Sequence, residues 1–390
     1  MPSPRPERPG LLIRDTLRFS ETTLILPPPI VPLLRFFDGE QDERELHDAL
    51  HALTGELDVA PLARRLIDSL DQAGFLLNER FAQMRAERLR IFAAQPERAP
   101  AHAGGGYPAD AGELRGLMSR YLNPDGVPAS HDARLGIAAP HVSPEGGWES
   151  YREAFLALPR EAGGRTFVIL GTSHYGAPER FGLTRKNYLT PFGAAQTDRA
   201  AVDFLEQRAG AAIEMEDYCH AVEHSIEFQV VFLQALYGPE VKVLPVLCGP
   251  FVKSLYEGGP PEADDGVARF FDALREWRAG PGRDAFWVLG VDMAHIGRRF
   301  GDEAPVQAGD DRMSEVEQRD RARIAALEAG DAGSYWSLVQ PNHDDLRWCG
   351  SAPIYTFMRA VPEARASLRR YQQWNIDSES VVSFAALRFA

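Results

Sequence analysis

Short apolar segments alternate with helical or loop stretches along the chain from residue 134 onward. Each of these segments is rich in Val, Ile, Leu or Ala. Five are predicted as strands: Leu135–Ala139, Thr166–Leu170, Val241–Leu247, Ala285–Val291 and Val381–Phe389. Apolar strands that alternate with helices indicate a mostly parallel central sheet flanked by helices. The pattern therefore predicts an α/β fold for this part of the chain.

The first eighty residues follow a different pattern. Short strands are predicted at Leu11–Ile13 and Thr23–Leu26, and a closing strand at Phe75–Leu77. Three short helices with helical apolar spacing are predicted between them, at Ile30–Phe37, Glu43–Leu53 and Val59–Ala73. Three short helices and a terminal hairpin together predict a small winged-helix domain.

The chain has 390 residues, more than one ordinary domain of roughly 150 residues contains. We predict a disordered Pro- and Arg-rich tail over residues 1–10, the winged-helix domain over 11–80 and a helical linker over 81–95. The α/β domain is expected to cover residues 96–390.

Composition limits the kinds of partner. The net charge of −14 argues against nucleic acid as the main partner, because phosphate binding requires clustered Lys and Arg, and against anionic membrane surfaces. No apolar run approaches the length of a membrane span, and the N-terminus lacks the pattern of a signal peptide. Three cysteines cannot form a disulfide framework. We therefore expect a cytoplasmic protein.

Side chains capable of binding a metal follow three of the predicted strands. His141 and His174 each come shortly after a strand, and a third strand runs into Asp292 and His295. In open parallel sheets, ligands bind at the carboxyl ends of the strands, so these side chains are expected at one edge. Imidazole and carboxylate groups together are typical of a transition-metal site. A histidine after a strand is also a common loop residue, so the argument depends on all of them converging.

Two further groups leave alternatives open. Cys349 precedes a predicted helix at Ile354–Met358, whose dipole would stabilise a thiolate. It is a metal ligand, a nucleophile or a small buried apolar residue. Glu223 and Glu227 flank His224 at the predicted start of an apolar helix that runs to Leu233. Such carboxylates either cap the helix or orient imidazoles that bind metal.

With these residues identified, the second part of the chain resembles the Memo family, called AmmeMemoRadiSam system protein B in bacteria and archaea. The resemblance covers roughly residues 96–390. The matching stretches, in order, are His102–Pro108, Ala138–His141, Val168–His174, Glu223–Glu227, Asp292–Phe300 and Cys349-Gly350. The family's usual glycine after the first histidine motif is replaced here, since Val142-Ser143-Pro144 follows His141.

The resemblance implies the fold of class III non-haem iron (extradiol) dioxygenases, with Cys in place of the carboxylate ligand. Carried over to this chain, the metal ligands would be His141, His174 and Cys349. Asp292, His295 and His224 would lie beside them as catalytic residues. Iron (Fe2+) is the expected metal, with copper or zinc as alternatives, and the system's name implies a radical SAM protein as a partner.

The N-terminal residues 10–80 are similar to PqqD-like domains, through the turn at Phe37–Gly39 and the ending at Gly74–Leu76. That similarity implies recognition of a peptide, which such modules bind by adding a strand to a sheet edge. The alternative is a winged helix used only for packing or dimerisation.

Three functions remain open from the sequence. The leading hypothesis is an oxygen-using oxidoreductase that acts on a small molecule or a peptide recruited by the N-terminal domain. The second is a non-enzymatic protein that handles metal or binds partners in the same groove. The third is a Cys349-dependent hydrolase, which would be indifferent to chelators. The sequence identifies no substrate.

Overall fold

The computed structural model describes residues 9–122 and 130–390. It divides into two compact units, Met1–Ala94 and Gln95–Ala390. The predicted disordered tail, residues 1–10, lies outside the described residues except for Pro9 and Gly10.

The N-terminal unit contains one antiparallel strand pair followed by helices. Its strands are β1 (Leu11–Arg14) and β2 (Thr23–Leu26). A 3₁₀ helix at Pro28–Phe37 is followed by α1 (Glu43–Thr54), α2 (Ala60–Gln72) and α3 (Glu79–Ala94). The Asp42 side chain accepts hydrogen bonds from the first turn of α1, and Glu45 completes a capping box. Leu46 and Leu50 of α1 pack with Leu66 and Leu70 of α2 in the core of this unit.

The predicted closing strand Phe75–Leu77 is wrong, because the structure has irregular backbone there. Gly74 adopts a left-handed conformation (φ 73°) that ends the helix, and Leu77 is 91% exposed. Within residues 9–94, β1 and β2 pair with each other, so the terminal hairpin behind the winged-helix prediction is missing. That prediction is not confirmed. The predicted helix at Ile30–Phe37 is a 3₁₀ helix with Pro32 inside it.

The C-terminal unit is built around one large sheet. Its strands in the described residues are β3 (Glu97–Arg98), β4 (Gly136–Ala139), β5 (Thr166–Thr172), β6 (Phe181–Leu183), β7 (Asn187–Thr190), β8 (Gly193–Thr197), β9 (Ile213–Met215), β10 (Lys242–Cys248), β11 (Phe286–Gly290), β12 (His295–Gly297), β13 (Ala366–Asp377) and β14 (Ser380–Phe389). The main path of the sheet is β12-β14-β4-β11-β5-β10-β8-β7-β3. All five predicted strands are present.

Helices cover this sheet. They are α4 (Ala111–Leu122), α5 (Pro144–Phe155), α6 (Arg199–Ala209), α7 (Cys219–Val222), α8 (Glu227–Tyr237), α9 (Val252–Glu257), α10 (Asp265–Ala279), α11 (Asp311–Ala329), α12 (Ala332–Val339) and α13 (Ser351–Ala360). Short 3₁₀ helices lie at Arg160–Gly164, Gly210–Ala212, Pro261–Ala263, Arg298–Phe300 and Pro341–His343. Among the helices of the described ranges, none has the length and apolar character required to cross a membrane.

The centre of the sheet is parallel and buried on both faces, which confirms the predicted α/β fold. Strands β4, β11, β5, β10 and β8 run parallel to one another along the path. Along β5, Val168 and Leu170 pack into one core cluster, while Phe167 and Ile169 pack into another. Burial on both faces explains why these strands are continuously apolar. The last strand, β14, pairs antiparallel with β4 at one side of this centre.

Candidate metal centre

Three parallel strands end in register at the candidate site. Gly290 at the end of β11 lies opposite Ala139 of β4 and Gly171 of β5. The residues that follow these strands therefore reach the same edge of the sheet. A Cβ atom on Gly290 would lie 2.1 Å from the carbonyl oxygen of Ser225, so glycine is required for the close approach of that segment.

His141 is almost completely buried after β4. Its backbone N–H donates to Asp292 Oδ1 at 2.8 Å, and its Nδ1 lies 2.8 Å from the carbonyl oxygen of Gly290. Because a carbonyl oxygen can only accept, we assign the ring hydrogen to Nδ1. This leaves Nε2, which lies 3.2 Å from Cys349 Sγ and 3.5 Å from Asp292 Oδ2, as the ring atom that can bind a metal in place of a hydrogen.

His174, after β5, is held by the buried carboxylate of Glu223. Its Nδ1 lies 3.0 Å from Glu223 Oε1, and its backbone N–H donates to Oε2 at 3.0 Å. Burial alone would lower the pKa of His174, but the Glu223 carboxylate raises it well above the ordinary value. The same contact makes Nδ1 the hydrogen-bond donor of the ring and leaves Nε2 as the nitrogen that can bind a metal. Of the two readings of Glu223, the structure therefore favours orientation of an imidazole.

His224 stacks on His174, with ring centroids 5.0 Å apart, and its Nδ1 lies 3.1 Å from the same Glu223 oxygen. Its ring also meets that of His141 edge to face at 5.1 Å. Burial lowers the pKa of His224 although Glu223 acts to raise it, and the neighbouring His174 and His141 add to the lowering. His224 is therefore a neutral imidazole beside the two predicted ligands.

Cys349 approaches from the turn before α13. Its carbonyl oxygen accepts from Thr172 Oγ1 at 2.9 Å, which ties the turn to the end of β5. Burial alone would raise the pKa of the Cys349 thiol, but His141 and His295 nearby, together with the hydrogen bonds from His141 and His174, hold it well below its ordinary value. The thiolate that a metal ligand or a nucleophile requires is therefore favoured here.

His295 lies at the Cys349 side of the site. Its Nδ1 is 2.9 Å from the carbonyl oxygen of Met293 and 3.0 Å from that of Arg347, so Nδ1 carries the hydrogen. Its ring packs edge to face on Phe300 at 4.9 Å. Nε2 is left as a basic atom.

Within residues 9–122 and 130–390, two overlapping groups of side chains can supply ligand atoms within 4.8 Å of one another. His141, His174 and His224 form one group, and His141, Asp292 and Cys349 form the other. Of the predicted ligands, His141 belongs to both groups, His174 to the first and Cys349 to the second. Histidines that bind metal typically donate their second ring N–H to a carbonyl or carboxylate, as His141 and His174 do here. Imidazole and thiolate donors suit iron, copper and zinc. The residues present therefore fit a transition metal.

A cavity of about 370 Å³ adjoins these groups. His174 and Cys349 line it, together with Ser173, Arg347 and the aromatic side chains of Phe251, Trp336 and Trp348. It offers apolar surface beside a guanidinium group. Val142, the first residue of the stretch Val142-Ser143-Pro144 that follows His141, packs in an apolar cluster with Val382 and Phe384.

A buried ion pair that the sequence analysis did not identify supports the segment carrying Glu223. Arg98 of β3 and Glu227 of α8 are fully buried and form a salt bridge. Arg98 also donates to the carbonyl oxygens of His220 and Glu223, at 2.6 and 2.8 Å. The signal in the sequence was a carboxylate directly before the mostly apolar stretch 228–233, because a carboxylate in such a position is buried only with a partner.

The predicted helix start at Glu223 is wrong, since α8 begins at Glu227. Glu223 has extended backbone (φ −72°, ψ 139°) because its side chain accepts from the backbone N–H groups of His224 and Ser225. These local hydrogen bonds compete with helix formation.

The model of the Memo-like protein family matches residues 98–388. The chain belongs to the Memo-like family. A MEMO1 family protein of Aquifex aeolicus is 27% identical over 383 residues, covering 97% of this chain and 95% of that protein. A MEMO1 family protein of Methanococcoides burtonii is 33% identical over 295 residues, covering 74% of this chain and 98% of that protein. The resemblance found in the sequence is thereby confirmed at the level of the family.

Among solved structures, an uncharacterized protein, JW3007, from Escherichia coli K12 aligns with a TM-score of 0.37 at 11% identity. The alignment covers 61% of this chain and 90% of that chain. This likeness is too distant to add to the description of the Memo-like unit.

Replacing Glu223 with Gln should lower the pKa of His174 in the metal-free protein by at least about 1 unit. An opposite charge in contact with an imidazole typically raises its pKa by about 1–3 units, and Gln removes that charge. NMR titration of the His174 ring, assigned with a His174→Ala variant, measures this change. The control is Glu149→Gln, which removes a carboxylate paired with Arg370. A His174 pKa that is equal in wild type and Glu223→Gln would contradict the assigned contact.

Proposed function

We propose that this Memo-like protein is a metalloprotein in which His141, His174 and Cys349 hold a redox metal, with iron(II) first and copper as the alternative. We propose further that it uses oxygen to oxidise an organic or peptide substrate. The observation that carries the proposal is that both histidines use Nδ1 for hydrogen bonds to oxygen atoms, so that a metal beside the stabilised thiolate can bind at both Nε2 atoms. When bound, the metal would supply the one-electron and oxygen chemistry of two-histidine sites.

The side chains around these ligands have separate roles in the proposal. Glu223 orients His174, and Asp292 holds the backbone of His141. His295 keeps a basic Nε2 that can accept or return a proton, which is the role of a general acid–base. The thiolate of Cys349 would shift the potential of the metal relative to enzymes with a carboxylate ligand, so ring cleavage does not follow from the fold.

The substrate is expected in the cavity that His174 and Cys349 line. Its volume of about 370 Å³ suits a small molecule or a single side chain of a peptide. In the N-terminal unit, the two-stranded sheet β1–β2 is where we expect an extended peptide to add a strand. A radical SAM protein, as the resemblance implies, stays a predicted partner.

Metal analysis tests the proposal first. We expect near-stoichiometric iron or copper in protein purified anaerobically, its loss on treatment with a strong chelator, and its return on reconstitution with iron(II). Oxygen uptake by the reconstituted protein, followed with an oxygen electrode, should exceed that of the chelated form.

Protein that holds no metal and acquires none on reconstitution would overturn the proposal. Tightly held metal without oxygen uptake would instead favour the non-enzymatic metal-handling function, which uses the same ligands.

A further inference from the structure

Asp320 of helix α11 is fully buried and accepts three hydrogen bonds from side chains. Trp348 Nε1 donates to its Oδ1 at 2.6 Å. The hydroxyls of Tyr371 and Ser383 donate to its Oδ2 at 2.8 and 2.6 Å. A buried carboxylate with three donors is held firmly in one geometry, because charge-assisted hydrogen bonds are stronger than neutral ones.

Through Trp348, Asp320 reaches the turn that carries Cys349. The indole is fixed at Nε1 by Asp320, and the backbone N–H of Trp348 donates to Asp344 Oδ2 at 2.9 Å. Arg323, one turn along α11 from Asp320, lies over the same indole at 5.0 Å and pairs with Asp344 at 2.8 Å. The residue before Cys349 is therefore held at its ring and at its backbone.

Through Ser383, Asp320 reaches the loop between Asp292 and His295. The Ser383 hydroxyl, which donates to Asp320, accepts from the backbone N–H of Ala294 at 2.9 Å. Backbone hydrogen bonds of 2.9 and 2.8 Å also tie Ser383 to Ala294 and Met293. One carboxylate thus lies behind two segments of the candidate metal centre that are more than fifty residues apart in the chain.

We propose that Asp320 is a positioning residue that sets Cys349 and the Asp292–His295 loop relative to each other through Trp348 and Ser383. The inference rests on the proposed metal site and adds a residue remote from the ligands to it. Only an ionised carboxylate presents acceptors alone on both oxygens. Asn at this position would turn an N–H group toward one of the donors, so one of the two connections would break.

The test measures the Zn2+ affinity of the full chain by competition with a chromophoric chelator. We expect Asp320→Asn to weaken binding about tenfold, at the low end of the 10–100-fold typical for partners that orient ligands. Trp348→Phe and Ser383→Ala each break one connection and should each weaken binding by less. When Trp348→Phe or Ser383→Ala is added to Asp320→Asn, the Zn2+ affinity should change little further, because their shared partner is already lost.

The Co2+ form supplies a readout that a purely structural role would not alter. The charge-transfer absorption from thiolate to Co2+ reports the placement of Cys349, and we expect it to shift in Asp320→Asn and in Trp348→Phe. The matched control is Thr190→Val, which removes another buried side-chain hydrogen bond, to Gln234 of α8. This variant should lower stability without changing Zn2+ affinity or the absorption band.

Unchanged affinity and absorption in Asp320→Asn, or strictly additive effects in the double variants, would overturn the inference. If wild type binds neither Zn2+ nor Co2+, the proposed function fails. Hydrogen exchange on the metal-free protein then tests the positioning role of Asp320. Hydrogen exchange of the Ala294 amide should then be about tenfold faster in Asp320→Asn than in wild type, because its acceptor Ser383 is released. An equal exchange rate would overturn the inference there too.

Discussion

The His141→Ala variant should bind Zn2+ or iron(II) at least about 100-fold more weakly than wild type. Losing a residue that only orients a ligand typically costs 10–100-fold in affinity, and loss of a ligand should cost more. His141 is also the member common to both groups of ligand atoms. Elemental analysis and chelator competition on the purified variant measure the effect.

The matched control is His343→Ala. His343 lines the cavity that His174 and Cys349 also line, but its Nδ1 lies 3.0 Å from the carbonyl oxygen of Leu255 and its ring stacks on Tyr256 at 4.3 Å. Its loss should leave the metal affinity close to that of wild type. Equal affinities for His141→Ala and wild type would exclude His141 as a ligand.

Alkylation separates the metal site from the Cys349 hydrolase alternative. Bound Zn2+ should protect Cys349 from iodoacetamide, since a ligating thiolate is not a free nucleophile. Cys219 and Cys248 are buried and serve as internal references in the same digest. Labelling of Cys349 at the same rate with and without Zn2+ would favour the hydrolase.

The Arg98→Met variant should lower the free energy of unfolding by about 3–5 kcal/mol, because removing one partner of a buried ion pair leaves the other charge uncompensated. Among the described residues, the hydroxyl of Tyr107 and the backbone N–H groups of Ala101 and His102 would then remain as donors to Glu227. Urea denaturation of the metal-free chain measures the change. The affinity for Zn2+ should fall as well, since Arg98 holds the carbonyl oxygen of Glu223.

The control for this variant is Arg208→Met, which breaks the exposed ion pair with Glu276. Exposed pairs contribute little to stability, so its unfolding curve should lie close to that of wild type. If the two variants were equally stable, the buried pair would not be the support assigned to it.

The sequence predicted the strands of the C-terminal unit because burial on both faces leaves an unbroken apolar run in each of them. It also predicted that His141, His174 and Asp292 meet at one edge, because parallel neighbours end on the same side. The structure brings these side chains to the ends of β4, β5 and β11. In the N-terminal unit the helices were predicted, whereas the strand at Phe75–Leu77 was wrong. A strand requires a neighbour to pair with, and three residues of sequence do not reveal one.

What the sequence determined by itself is the α/β fold, the family and the residue types at the strand ends, since each depends on local pattern or on ordered motifs. The tertiary structure alone decided the partners of those residues. The contacts of Glu223 with the ring of His174, of Arg98 with Glu227, and of Asp320 with Trp348 and Ser383 join positions between 28 and 129 residues apart. Such contacts follow from how the sheet and helices pack, and a charged residue gives the same local signal whether it is solvated or buried with a partner.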